Sequence, residues 1–311
     1  MIDPQADAMN KAMNAGPPLD QVGLEQARQW IAERTPVADT EVAKVANLNT
    51  GGENGVDVRL YHPSPADELP LIVFSHGGGW ILGTVDSADE TCRRLALASR
   101  CAVMSVEYRL APEFPYPAAL EDVIAVLGWL PQAAGEHHLD VSRVGVAGES
   151  SGAQVALSVA LAARNLAARN TVPVALRGQL LVCPPLDRRM KTGSWDALGH
   201  DYVPRRSQMG WMWDLYFGEN DQHLGAAPDP YRAQLADLPP TVIVVAEYDP
   251  LRDEALVLAE RLRQAGVEVD VIDCSGQIHP VISYAPVIPA CASYLTQASE
   301  SIAALLIRDP R

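Results

Sequence analysis

An α/β architecture, with a mostly parallel sheet and helices on both of its faces, is the fold class that this 311-residue sequence predicts. Three observations carry that expectation. From about residue 69 onward, short continuous apolar runs alternate with helical segments, as strands covered on both faces require. A glycine-flanked serine, Gly148-Glu149-Ser150-Ser151-Gly152, stands between one such run and one such helix. The composition, 48% hydrophobic and 20% charged, is that of a globular chain long enough to bury a large core.

Residues 1–45 read as helical. Leu19, Val22, Leu24, Ala27, Trp30 and Ile31 form an apolar stripe ending near Thr35-Pro36. Because this segment precedes the first strand, it is free to cover the main domain. Residues 56–61 alternate apolar and polar side chains, as an edge or half-buried strand does. Residues 71–74, 101–106, 144–147, 180–182 and 241–245 are the buried strands, and 267–272 the last strand. Residues 88–99, 117–131, 151–168 and 253–265 are the intervening helices. The stretch 187–235 breaks this rhythm. It has no buried-strand run but holds Trp195, Tyr202, Trp211, Trp213, Tyr216 and Phe217, so it reads as an insertion that lids the strand ends, packs on the core, or does both.

A formal net charge of −15 and a pI near 4.8 argue against a nucleic-acid partner, because a phosphate backbone would be repelled. The five cysteines, Cys92, Cys101, Cys183, Cys274 and Cys291, form no CxxC pair, so neither a disulfide framework nor a zinc site is expected. No apolar stretch reaches the roughly 18 residues that span a membrane, and no basic-then-apolar leader opens the chain. A cytoplasmic location, with no membrane partner, is the expectation.

The chemistry concentrates in four places. The serine turn presents the Ser150 hydroxyl to substrate while the Ser151 N–H and the positive end of the following helix point at the same spot. His76-Gly77-Gly78-Gly79-Trp80 follows the strand at 71–74. Consecutive glycines there let backbone N–H groups approach a ligand, so Gly78 and Gly79 join Ser151 as oxyanion donors. Gly77 forms the turn, and His76 fixes the loop. A phosphate loop is excluded by the missing Lys and Ser/Thr. Asp249 follows the strand at 241–245, on the sheet edge where the serine turn lies, with Asp253 as its competitor. His279 follows the last strand in a short polar loop, 275–279, and gives the chain order Ser, Asp, His. His62, His137, His138, His200 and His223 are read as residues of loops or of the insertion.

With these residues assembled, the chain resembles the hormone-sensitive-lipase-like family of α/β-hydrolases, the bacterial carboxylesterases. The resemblance runs from about residue 70 to 280. It rests on the glycine loop, on Tyr108-Arg109-Leu110-Ala111-Pro112-Glu113, on Pro117-Ala118-Ala119-Leu120-Glu121-Asp122, on the serine turn and on Asp249-Pro250-Leu251-Arg252-Asp253. It implies the α/β-hydrolase fold with an eight-stranded, mostly parallel sheet. It implies a helical cap made of residues 1–45 and the insertion 187–235, set on a core formed by 46–186 and 236–311. It further implies cofactor-free hydrolysis of small, short-chain acyl esters, and a homodimer. Three positions depart from the family pattern: Glu149 for Asp, Ser151 for Ala, and Pro280 for Gly. The first two keep every backbone donor. Pro280 lacks one and restricts His279, so a displaced base is the expectation it raises.

In this reading Ser150 attacks the ester carbonyl, His279 takes its proton and Asp249 orients the imidazole. The rate must then fall in acid as His279 becomes protonated. A non-catalytic small-molecule binder on the same fold is the alternative class. A peptidase or amidase suits the small cap less well, and a true lipase would need a broad apolar surface.

Overall fold

A computed structural model of the chain describes residues 1–35, 37–167, 174–218 and 232–308. Eight strands form one sheet: β1 (Lys44–Asn49), β2 (Asp57–His62), β3 (Leu69–Ser75), β4 (Ala102–Val106), β5 (Leu139–Glu149), β6 (Leu176–Val182), β7 (Thr241–Tyr248) and β8 (Val269–Ile278). Their order across the sheet is β1-β2-β4-β3-β5-β6-β7-β8. The β1–β2 and β2–β4 pairs are antiparallel and every other pair is parallel.

Successive side chains on a strand point to opposite faces, and both faces of this sheet are covered. Leu71 and Val73 of β3 join Val146, Leu181 and Ile243 in one core. Ile72 and Phe74 join Ala147, Leu180 and Val242 in the other. The first core is closed by α5 (Ala118–His137), α6 (Ser151–Ala167) and α9 (Arg252–Gln264). The second is closed by α4 (Asp89–Ser99) and α10 (Pro289–Ile307). Two-sided burial is the physical reason that the central strands read as unbroken apolar runs.

Three sequence-based expectations change. The segment 1–45 is not helical throughout: α1 (Pro4–Asn14), α2 (Leu19–Val22) and α3 (Leu24–Arg34) are followed by irregular chain and then by β1 from Lys44. β1 was not anticipated, because it is an edge strand that never becomes fully buried. The helix expected to end at Pro131 continues to His137, since Pro131 lies on the exposed face while Leu130 and Ala133 stay buried. β8 runs on through 275–278, which had read as a polar loop. As an edge strand it alternates as far as Ser275, with Asp273 and Ser275 exposed and Cys274 buried, and its last three residues are all buried. Similarly His62 ends β2 and His137 ends α5, rather than lying in loops. Pro36, residue 168 and the 219–231 part of the insertion, with His223, lie outside the described residues.

The insertion contributes α7 (Gly193–Leu198) and α8 (Arg206–Phe217). Together with α1–α3 these helices stand over the ends of the parallel strands. Among the described residues no helix is long and apolar enough to cross a membrane. Leu181 has no exposed surface at the centre of the sheet. Leu181→Ala is expected to cost about 2–5 kcal/mol of stability in a urea titration, through lost burial and the cavity left behind.

Candidate active site

The sheet order reverses at β3: the chain next adds β4 on one side and β5 on the other. The loops leaving β3 and β5 therefore part from neighbouring strand ends and open a crevice between them. Ser75 of β3 pairs with Gly148 of β5, so the glycine loop and the serine turn emerge side by side.

Ser150 alone makes the turn between β5 and α6, with φ of 54°. A left-handed conformation costs an ordinary residue about 1–2 kcal/mol. Here it is held by the Ser150 N–H, which donates to Val182 O at 2.8 Å. The turn also needs its glycines. A Cβ on Gly152 would lie on the carbonyl oxygens of Ser75 and His76, and one on Gly148 on that of Gly152.

The structure brings Ser150, His279 and Asp249 together. His279 Nε2 is 2.9 Å from Ser150 Oγ, and His279 Nδ1 is 3.0 Å from Asp249 Oδ2. The other carboxylate oxygen of Asp249 accepts the N–H of Leu251 at 2.9 Å, which fixes its plane. All three residues are buried. Asp253 is turned elsewhere: its Oδ2 accepts the N–H of Ser194 at the start of α7, 2.8 Å away. Pro280 does not carry the His279 imidazole away from Ser150. The carbonyl of His279 accepts the Tyr284 hydroxyl at 3.0 Å, anchoring the residue from the following turn, a 3-10 helix over Val281–Tyr284.

In the glycine loop, Gly78 has φ of 121° and no room for a Cβ, which would fall on Leu82 O. Its carbonyl accepts the N–H groups of Ile81 and Leu82, at 3.3 and 3.0 Å. The N–H groups of Gly78 and Gly79 donate to no backbone acceptor among the described residues, nor does that of Ser151. His76 holds the loop from behind. Its ring stacks on Tyr108 at 4.2 Å, its Nδ1 lies 2.8 Å from Gly77 O, and the Tyr108 hydroxyl donates to its carbonyl at 2.8 Å. Burial pushes the His76 imidazole down to about 4, so it stays neutral and uncharged in the neutral range. Trp80 pins the far end, with its indole N–H 3.0 Å from Gln154 Oε1 and its ring stacked on Tyr216.

Two groups of residues escaped the sequence reading. Arg28 on α3 donates to Ile81 O at 2.9 Å and Ala111 O at 3.0 Å, and forks onto Glu113 at 2.7 and 2.8 Å. It thereby ties α3 to the end of the glycine loop, and the only signal for it was Glu113 in the Tyr108–Glu113 motif. The second group is the lining of the cavity above Ser150, about 230 Å³ in volume. Met13, Leu19 and Ile31 supply one wall and Val203, Met209 and Met212 another. The aromatics of the insertion do not form this wall. Trp213, Tyr216 and Phe217 pack on Trp80 and Tyr116 instead.

Among the described residues, one set of potential metal ligands clusters: Cys183, Asp249 and His279, with ligand atoms within 4.8 Å of one another. Burial and the Asp249 carboxylate push the Cys183 thiol well up, so it is held as the neutral thiol, a poor ligand. Asp249 and His279 are already bonded to each other.

An open, mostly parallel sheet with a serine on a strand-to-helix turn at its switch point, and an imidazole–carboxylate pair beside it, defines the class of α/β hydrolases. Sequence comparison makes this specific. Residues 72–283 match the family described as alpha/beta hydrolase fold, and the chain belongs to that family, in its hormone-sensitive-lipase-like branch. It is 37% identical to esterase LipI of Mycobacterium tuberculosis over 86% of this chain and 84% of the relative. It is 28% identical to an ethyl acetate hydrolase of Pseudomonas putida over 92% and 91% of the two chains. The crystal structure of a thermostable esterase from Pseudomonas putida superposes with a TM-score of 0.91, at 28% identity, over 99% of this chain and 98% of that one.

The turn geometry can be tested with two alanine substitutions. Gly152→Ala is expected to cost about 3 kcal/mol or more, because backbone carbonyls block the new Cβ. Gly128→Ala, in α5 with open space around it, is expected to gain about 0.5–1 kcal/mol. Paired urea titrations measure both.

Proposed function

We propose that the protein hydrolyses small carboxylic esters with short acyl chains, through an acyl-enzyme on Ser150. The observation that carries this reading is the unbroken hydrogen-bond relay from Ser150 Oγ through His279 to Asp249, opening on a small apolar cavity. Ser150 Oγ attacks the ester carbonyl and its proton passes to His279 Nε2. The oxyanion is held by the N–H groups of Gly78, Gly79 and Ser151. His279 then gives the proton to the departing alcohol. Water enters, loses a proton to His279 and attacks the acyl carbonyl, and the acid leaves as Ser150 recovers its proton. Asp249 holds the imidazole with Nε2 facing the serine.

A cavity of about 230 Å³ lies below the usual range of roughly 300–1,000 Å³ for ligand pockets, which favours short acyl groups. The names of the relatives, carboxylesterase, ethyl acetate hydrolase and acetyl esterase, support the same substrate class. In this reading residues 1–45 and 187–235 act as the cap that closes the cavity on the core of 46–186 and 236–311. The family resemblance extends it to a homodimer, and the sequence reading places it in the cytoplasm. A non-catalytic binder would have no use for a base aligned at hydrogen-bond distance on a hydroxyl at the cavity floor.

A nitrophenyl ester panel from acetate to palmitate tests the proposal. Turnover is expected to be confined to short chains, and Ser150→Ala to lower kcat by about 10⁴-fold or more. Unchanged turnover in Ser150→Ala would refute the nucleophile. Gly78→Ala, which must reshape the glycine loop, is expected to lower kcat by about 10²–10³-fold with KM changed far less.

A further inference from the structure

We propose that Glu149 is a positioning residue for His279, tying the serine turn to the turn that carries the base and supporting the imidazolium formed when Ser150 gives up its proton. The inference rests on the triad reading above. Glu149 is the last residue of β5, adjacent to Ser150, and it is buried at the cavity wall. Its two carboxylate oxygens both face Ser283, four residues beyond His279. Oε2 accepts the Ser283 hydroxyl at 2.5 Å and Oε1 accepts the Ser283 N–H at 3.1 Å. Nucleophile and base reach the site from separate strands, so this two-pronged contact is a direct strut between them.

The charged form of Glu149 has a second effect. Burial pushes its carboxyl up to about 7, opposed by the two Ser283 bonds and by attraction to His279. The other titratable groups facing it are Cys92 on α4, Tyr284 beside Ser283, and Cys291 on α10. Burial pushes all three up, Cys291 to about 12, so they stay neutral in the working range. Among these acidic groups the charge change near neutrality therefore falls to Glu149. Above about 7 the carboxylate is negative and favours the imidazolium of the transition state. Below it, Glu149 takes up a proton and that support is lost.

The test is the pH dependence of kcat/KM for a short-chain nitrophenyl ester, with folding of each variant checked by near-UV circular dichroism. The parent is expected to show an acid limb steeper than one proton. Glu149→Gln is expected to reduce it to a one-proton limb shifted to lower pH, with a plateau about tenfold lower, one unit of lost imidazolium support. Ser283→Ala removes a donor to the carboxylate, so it is expected to move the parent's limb to higher pH but to leave that of the Glu149→Gln protein in place. Glu149→Asp is expected to restore the second ionisation. Superimposable profiles for parent and Glu149→Gln overturn the proposal, as does an equal Ser283→Ala shift in both backgrounds. Ser150→Ala in the same assay separates the two levels: if it is inactive while the Glu149→Gln profile is unchanged, only the role of Glu149 fails, whereas retained turnover removes the triad itself.

Discussion

The reversal of strand order at β3 is the constraint on which the site depends. Parallel strands joined by right-handed crossovers place successive additions on a chosen side of the sheet. Here β4 falls on one side of β3 and β5 on the other. Two loops thus leave neighbouring strand ends in opposite directions, and the gap between them is where a substrate carbonyl has room. The parallel register also sets the ends of β7 and β8 on the same rim, which is how a carboxylate and an imidazole far apart in sequence converge on one hydroxyl.

That arrangement demands very close backbone approach, and the glycines answer to it. At Gly152 the start of α6 lies directly against the exit of β3, and at Gly77 a Cβ would come within 3.3 Å of Glu149 O. The left-handed Ser150 persists because flanking hydrogen bonds over-determine it. The same holds for the glycine loop, fixed by the His76–Tyr108 stack below, the Trp80–Gln154 bond at its far end and Arg28 from above. Groups held in place by their surroundings need no reorganisation when charge develops beside them.

How much of this could be read in the sequence follows from which forces act locally. Strands buried on both faces were legible because every residue, from Leu71 to Phe74 for example, must be apolar. β1 and the end of β8 were not, because edge strands tolerate Asn47, Asn49, Asp273 and Ser275 on their open faces. Ser150 and the glycine loop were legible because only glycine permits those contacts at short sequence spacing. Pro280 misled: its restriction on His279 is real, but the Tyr284 hydroxyl and the strand leading into the base decide where the ring sits. Arg28 and the cavity wall were illegible for a different reason. They depend on how α1–α3 and α8 dock across long sequence separations, and no local pattern records that.

The methionines of that wall have a consequence of their own. Met13, Met209 and Met212 are unbranched and can change rotamer at small cost, so the surface they form yields to the outline of whatever enters. Within the size the cavity allows, outline is then a weak basis for selection and polarity a strong one, because a thioether offers almost nothing to a charged or hydrogen-bonding group. Those same sulfur atoms are oxidisable. Conversion of Met212 to its sulfoxide would place a strong dipole against Gly79.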